Sequence, residues 1–420
     1  MIFVKLKAGA LQFTIFIIVV IALLLASFIL IVHFHDRFKN DTALIMDAVS
    51  ITNNVMHQIV SGGELTKGID SELYKGQLIQ IDSVYWGVYQ TVSVTTKIKS
   101  KITSKMALIG SKQPEEHPTL FLKDNNKPLV LVGNTTIEGD VWLPNKGVRA
   151  GNISGVSYYG EQLIQGDINT ISTFPEVSKH ILNHLDYIKT KVSKAGSKQY
   201  LNLALRDTVQ NSFFEPIKIV YEQGAINLSD IALTGNIIVY SETKIEVDVS
   251  ARLTDIILIA PTIEIGNNVK GRFQALASKT IIVGNDCELS YPSALVLQPK
   301  NNLNAKSTNG VEDIMINISE SSKIAGSVIY LGQEEKDNYR PQIFIDQNAL
   351  VLGEVYCSGN MDLRGTIHGS VYTYNFIAAQ SGSIYQNHLY NAKINKSKLP
   401  TQFSGVTFHE SNKKVLKWLY

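Results

Sequence analysis

His180 and His184 stand four residues apart, the spacing at which one helix face offers two imidazoles to a zinc ion. No further ligand lies near them, so solvated helix histidines are the expectation. Asp140 and Asp167 hold the same place in two copies of a Gly-Asp-Val/Ile tripeptide. As a pair they would suit acid/base work or Ca²⁺ binding, but 27 intervening positions do not by themselves bring them together. Polar corner residues are expected instead. His368 is a lone candidate general base, in Gly365-Thr366-Ile367-His368-Gly369. Tyr330, Tyr356, Tyr372 and Tyr374 would make a sugar-stacking strip, without the paired carboxylates a glycosidase needs. Cys287 and Cys357 belong to no CxxC pair. They are read as one disulfide, as a reactive thiol or, preferably, as two small buried hydrophobes. GxSxG, HExxH, the P-loop and a helix-opening GxGxxG are all missing. The expectation is a non-enzyme with no catalytic, cofactor-binding or metal site.

The elements that would position such residues begin with a membrane span. Leu11 to Val32, LQFTIFIIVVIALLLASFILIV, carries no charge, and about 33 Å of helix crosses a hydrocarbon core of roughly 30 Å. The flank His33-Phe34-His35-Asp36-Arg37 offers no small-residue cleavage site, so an uncleaved anchor is expected. Lys5 and Lys7 precede the span. A short basic tail of this kind stays in the cytoplasm, which puts the rest of the chain outside it. Lys7-Ala8-Gly9 followed by Ala10-Leu11-Gln12-Phe13-Thr14 resembles the prepilin-type leader of pseudopilins, with Thr14 where that leader carries Glu.

Of 420 residues, 45% are hydrophobic and 18% charged, and 39 Lys plus Arg against 37 Asp plus Glu leave a net charge of +2. That balance argues against a nucleic-acid partner, which calls for a basic stripe. The alternating Lys97-Ile98-Lys99-Ser100-Lys101-Ile102 reads as a strand with one wet and one dry face. Asp41–Val60 spaces Leu44, Ile45, Ala48, Ile51, Val55, Met56 and Ile59 as a short amphipathic helix ending at Ser61-Gly62-Gly63. Leu78 to Leu108 has the alternation of strands.

From Asn134 onward the chain repeats. Ile238–Asp255, Ile256–Phe273 and Gln274–Tyr291 align at an offset of 18 residues. Ile245, Ile263 and Ile281 fall in register, as do Val247, Ile265 and Val283, while Gly266 matches Gly284 and Asn267 matches Asn285. Inward ladders with glycine and asparagine at the corners are the mark of a β-solenoid. A tripeptide of Gly, a small or acidic residue, then Val or Ile recurs at Gly139, Gly166, Gly235, Gly326, Gly353 and Gly369.

The division expected is a tail (1–10), a transmembrane helix (11–32), a juxtamembrane helix (33–63), a β-rich region (64–133) and a β-solenoid (134–390). A helical insertion (175–195), with Val177, Ile181, Leu182, Leu185 and Ile188 on one face, and a polar loop (298–312) interrupt the solenoid; 391–420 caps its open end.

Asn134–Val141 and Leu363–Tyr372 resemble the short repeats of bactofilins and related polymer-forming proteins. That resemblance implies a β-helix that assembles into bacterial scaffolds without nucleotide. The fold class is therefore mainly β, with one transmembrane helix and an interrupted β-solenoid. The function expected is a membrane-anchored structural scaffold or assembly protein of the bacterial envelope, single-pass in the inner membrane with its bulk periplasmic. Alternatives are a carbohydrate-active or glycan-binding β-helix protein and a pseudopilin-like component of a secretion or surface-assembly system; hexapeptide acyltransferases, a further β-helix enzyme class with an 18-residue coil, would use His368 as general base. Expected partners are the membrane through Leu11–Val32, envelope proteins or further copies of the chain, and cell-wall or surface glycan.

Overall fold

A computed structural model describes residues 8–61, 77–112, 117–170, 173–194, 196–203, 207–300, 314–333, 338–406 and 413–419. Chain contacts separate two units. The first contains α1 up to Ile59 with residues 77–82 and 93–105; the second contains residues 83–92 and those from Met106 on.

α1 (Ala8–Val60) runs for 53 residues. It has no glycine or proline between Ala10 and Val60, so nothing breaks its hydrogen-bond ladder. The boundary drawn at residue 33 between span and amphipathic helix is not a break in structure. In the last turns Ala48, Thr52, Val55, Met56 and Ile59 are buried, a stripe at helical spacing. Thr52, which hydrophobicity alone does not pick out, lies in that stripe. Its Oγ1 donates to the Ala48 carbonyl at 2.7 Å and meets Thr96 Oγ1 at 2.9 Å. Ile45, counted as core from the sequence, is exposed.

The second unit is built mostly of parallel strands that close on themselves. Ile226 pairs with Ile245, Ile245 with Ile263, Ile263 with Ile281, Ile281 with Ile316, Ile316 with Ile343, and Ile343 with Met361. All are buried, as is a second ladder from Leu228 through Val247, Ile265, Val283 and Ile318 to Ile345 and Leu363. The expected register of Ile245, Ile263 and Ile281 is therefore the observed one. The repeated Gly-x-Val sites also stack: Gly326 pairs with Gly353 and Gly353 with Gly369, each at positive φ. A Cβ on any of the three would collide with the backbone carbonyl of the tier before it. Only glycine lets these tiers approach.

The order of tiers differs from the order of the chain. Leu120–Leu122, ahead of residue 134, pairs with Val371–Thr373, and Lys393–Asn395 pairs with both Thr366–Ile367 and Thr136–Glu138. The strands Ile168–Thr170 and Thr208–Asn211, adjacent along the chain, lie at opposite edges of the pile. Between them runs α2 (Lys179–Ser193), the expected helical insertion. Parallel strands need a long crossover, and here the crossover includes a helix. Lys413–Leu419, expected in a cap, is instead an antiparallel strand on Met106–Ser111.

The outward face of the pile is apolar as well. Ile219, Ile238, Ile257, Ile259, Leu276, Val296, Ile329, Tyr356 and Tyr372 form a second core with Val177, Ile181, Leu185, Ile188 and Val192 of the α2 segment and with Trp86, Val88, Tyr89 and Leu108. Around Gly87 the Gln274 side chain closes the contact at both ends: its Oε1 accepts from the Val88 N–H at 2.9 Å and its Nε2 donates to the Trp86 carbonyl at 2.9 Å. Tyr89 Oη meets Ser327 Oγ at 3.3 Å, and the Val406 N–H donates to Glu354 Oε2 at 3.0 Å.

Burial on both faces gives a test. Ile263→Asp, facing inward, and Ile259→Asp, facing outward, both place a carboxylate among apolar side chains and should each destabilise by several kcal/mol. Glu264→Gln, next to Ile263 but part-exposed and paired with Lys244, should change stability by less than about 1 kcal/mol. Urea denaturation of the three variants measures this; a mild Ile259→Asp would mean that the outer layer is not packed.

Candidate functional site

The feature whose chemistry has no use inside the fold is the first part of α1. Every described residue from Gly9 to Asn40 is exposed, although these include Phe13, Ile15, Leu23, Leu24, Phe28 and Ile31. Among the described residues this is the one helix long and apolar enough to cross a membrane, and none of its apolar window is buried. Thr14 Oγ1 donates to the Ala10 carbonyl at 2.8 Å, so this hydroxyl is satisfied without water, as a lipid environment requires. Past the span, Lys101 Nζ meets Asp41 Oδ2 at 2.9 Å and Lys105 Nζ donates to Asn53 Oδ1 at 2.8 Å. These contacts tie the strand Lys101–Lys112 to the polar half of the helix.

The other candidates are dispersed. His180 is exposed on α2, whereas His184 is half-buried and stacks on Tyr85 with ring centroids 5.4 Å apart. Among the described residues no group of three or more His, Cys, Asp or Glu side chains is placed to hold a metal ion. Asp140 and Asp167 do come together on neighbouring tiers, but as a corner: the Asp167 N–H donates to Asp140 Oδ1 at 3.0 Å. Beside them burial pushes Lys396 below the usual lysine range, with Asp140 opposing. Burial also pushes His368 down, Lys398 adds to this, and Glu138 opposes it. The Glu138 carboxylate is itself held by the Asn395 amide.

The tyrosine strip is not a sugar platform. Tyr330 belongs to the inner core, and Tyr356 and Tyr372 are buried in the outer one. Phe174 lies edge-on to Tyr374 at 4.8 Å, and the Tyr356 hydroxyl donates to the Pro175 carbonyl at 3.2 Å. These rings seat the segment leading into α2. A polar cleft of about 290 Å³ is lined by Asn348, Arg364, Thr366, Tyr390, Asn391 and Lys393, among others. Its Arg364 guanidinium pairs with Asp362, Nη2 to Oδ2 at 2.8 Å, and lies 4.9 Å from the Phe344 ring centroid. Sequence reasoning passed over this cleft because its residues come from separate corners.

No protein-family model matches the chain, and no curated protein matches it. Among solved structures the chain is similar to the competence-associated pilin ComZ from Thermus thermophilus, with 9% identity and a TM-score of 0.20, over 90% of this chain and 97% of that one.

Both cysteines are free and buried, so no disulfide joins them. Burial raises the Cys287 thiol and takes Cys357 up to about 12. Neither should react with iodoacetamide at pH 8 in the native protein, and both should in urea; mass spectrometry counts the adducts. His388 supplies a pH test. Burial holds its imidazole below 6.5, its Nδ1 contact with the Gln386 carbonyl at 2.8 Å opposes this, and Arg149 adds to the depression. The folded state prefers the neutral ring. Its contribution is complete above the unfolded-state value of about 6.5 and is lost as pH falls from there through the depressed folded value. Thermal midpoints should fall below pH 6.5, and less steeply in His388→Gln.

Proposed function

We propose that this protein is a membrane-anchored structural or assembly component of the bacterial envelope, acting by holding partners rather than by reacting with them. The observation that carries this reading is the exposure of the whole continuous apolar stretch of α1, while among the other described residues exposed large hydrophobics are scattered. Lipid is the environment that would cover it. The basic tail at Lys5 and Lys7 favours an inner-membrane anchor with the bulk of the chain outside the cytoplasm.

The parallel pile is read as a β-solenoid, because the same inward positions pair tier after tier. Solenoids present long repetitive faces suited to extended partners, here other envelope proteins or further copies of the chain. Leu363–Tyr372, one of the segments that resembles bactofilin repeats, lies within that stacked region. A second reading, a pseudopilin-like component of a secretion or surface-assembly system, is favoured by one observation. α1 continues unbroken from its apolar part into the part that carries the strands. A glycan-binding role has lost its tyrosine platform to the core.

Two experiments test the reading. A reporter that fluoresces only in the cytoplasm, fused after Tyr420, should stay dark; a bright fusion inverts the topology. His368→Ala, Asp140→Ala and Asp167→Ala should each leave the cellular role intact, whereas deletion of Leu11–Val32 should abolish it. A folded point variant as inactive as the deletion would reopen the enzymatic alternative.

A further inference from the structure

Of the lysines at 97, 99, 101 and 105, two contact α1, and these contacts fix the position of the strand relative to the apolar stretch. Lys105 reaches Asn53 and Lys101 reaches Asp41, so the strand from residue 105 to 101 descends along the helix toward the span. Asp41 lies nine residues beyond Val32, about 13 Å up the helix axis. The turn at Lys99-Ser100 lies one to two residues further down, and about 3.3 Å per residue brings it to roughly 7–10 Å from the end of the span. The polar headgroup layer extends about 5–8 Å beyond the hydrocarbon on each side. The turn thus stands at the outer edge of the headgroup layer when α1 crosses a bilayer, with the headgroups within reach of its lysine side chains.

What the turn presents suits that place. Residues 97–105 contain four lysines and no acid. Lys97, Lys99 and Ser100 are exposed, and Ile102 is 62% exposed. Leu78, at the start of the strand paired with Tyr89–Ile98 and so at the same end of the sheet, is 65% exposed. Long lysine side chains extend the reach of such a turn toward the headgroups. On α1 at the same height, Asp36 is accompanied by Arg37 and Lys39, and Asp41 is engaged by Lys101. Positive charge therefore dominates the side facing the bilayer.

We propose that the turn between the strands Tyr89–Ile98 and Lys101–Lys112 is a membrane-surface foot, binding anionic lipid headgroups through the side chains of Lys97 and Lys99. This rests on the anchored reading and adds a second, charge-dependent contact beside the span. The foot fixes the angle at which the polar half of α1 leaves the bilayer.

The test uses the full chain in vesicles of phosphatidylcholine with and without phosphatidylglycerol. Ser100→Cys carries an environment-sensitive dye, and Phe38→Cys carries the same dye as a control for insertion; the native cysteines are buried. Lipids spin-labelled at the headgroup serve as quenchers. The dye at position 100 should be quenched in anionic vesicles to an extent comparable with position 38, and at least twofold less in phosphatidylcholine alone or at high salt. Lys97→Glu with Lys99→Glu should abolish quenching at 100 and leave 38 unchanged. Quenching at 38 with none at 100 in anionic vesicles overturns the foot, as does quenching at 100 that ignores lipid charge and the charge reversal. Absence of quenching at both positions overturns the anchored reading and the foot with it.

Discussion

The second unit depends on a requirement that its inner ladders do not meet by themselves. A parallel sheet with apolar side chains on both faces cannot leave one face in water, and here the outward side chains of successive tiers include Ile238, Ile257, Ile259, Val296, Ile329 and Tyr356. The chain covers them with pieces from distant parts of the sequence. The α2 segment supplies Val177 to Val192, the turn at Trp86–Tyr89 supplies aromatic rings, and Val406 and Leu419 come from near the C-terminus. Hydrogen bonds from Gln274 to the backbone on both sides of Gly87, and from Val406 to the buried Glu354, satisfy the polar groups that this cover would otherwise strand.

The same requirement explains the chain order. After Ile168–Thr170 the chain must reach the opposite edge of the pile before it can wind back tier by tier. A helix with one apolar stripe makes that crossing while burying the outer face. The strand Lys413–Leu419 is likewise used as a paired element rather than as a lid, and pairing also blunts an edge that would otherwise template aggregation.

Part of the inner core is legible because isoleucine recurs at 18 residues over Ile245, Ile263 and Ile281, which pair as that interval requires, whereas the steps to Ile316 and Ile343 do not keep it. The outer layer was not read, although a signal was present. Ile256-Ile257-Leu258-Ile259 and Leu295-Val296-Leu297 are continuous apolar runs, and a strand that is wet on one face alternates instead. The α2 stripe was legible as a stripe, but its partner was not, since a helix pattern does not say what it packs on. The tyrosine strip was left open by the sequence for the same reason: aromatic residues in register along strands look alike from the sequence whether solvent or Phe174 lies above them. Thr52 escaped notice because its burial is secured by a hydrogen bond to Thr96, not by hydrophobicity.

Among the described residues, Gly9–Asn40 is the long continuous stretch of exposed apolar side chains, and the titratable side chains lie in corners and ion pairs rather than in one cluster. That contrast is the basis for reading the protein as an anchored holder. Alkaline carbonate extraction of membranes bearing the full chain measures it most directly. The full chain should remain in the membrane pellet while a chain lacking Leu11–Val32 is recovered in the supernatant with an unchanged unfolding transition for its β unit. Release of the full chain by the carbonate wash would contradict the account.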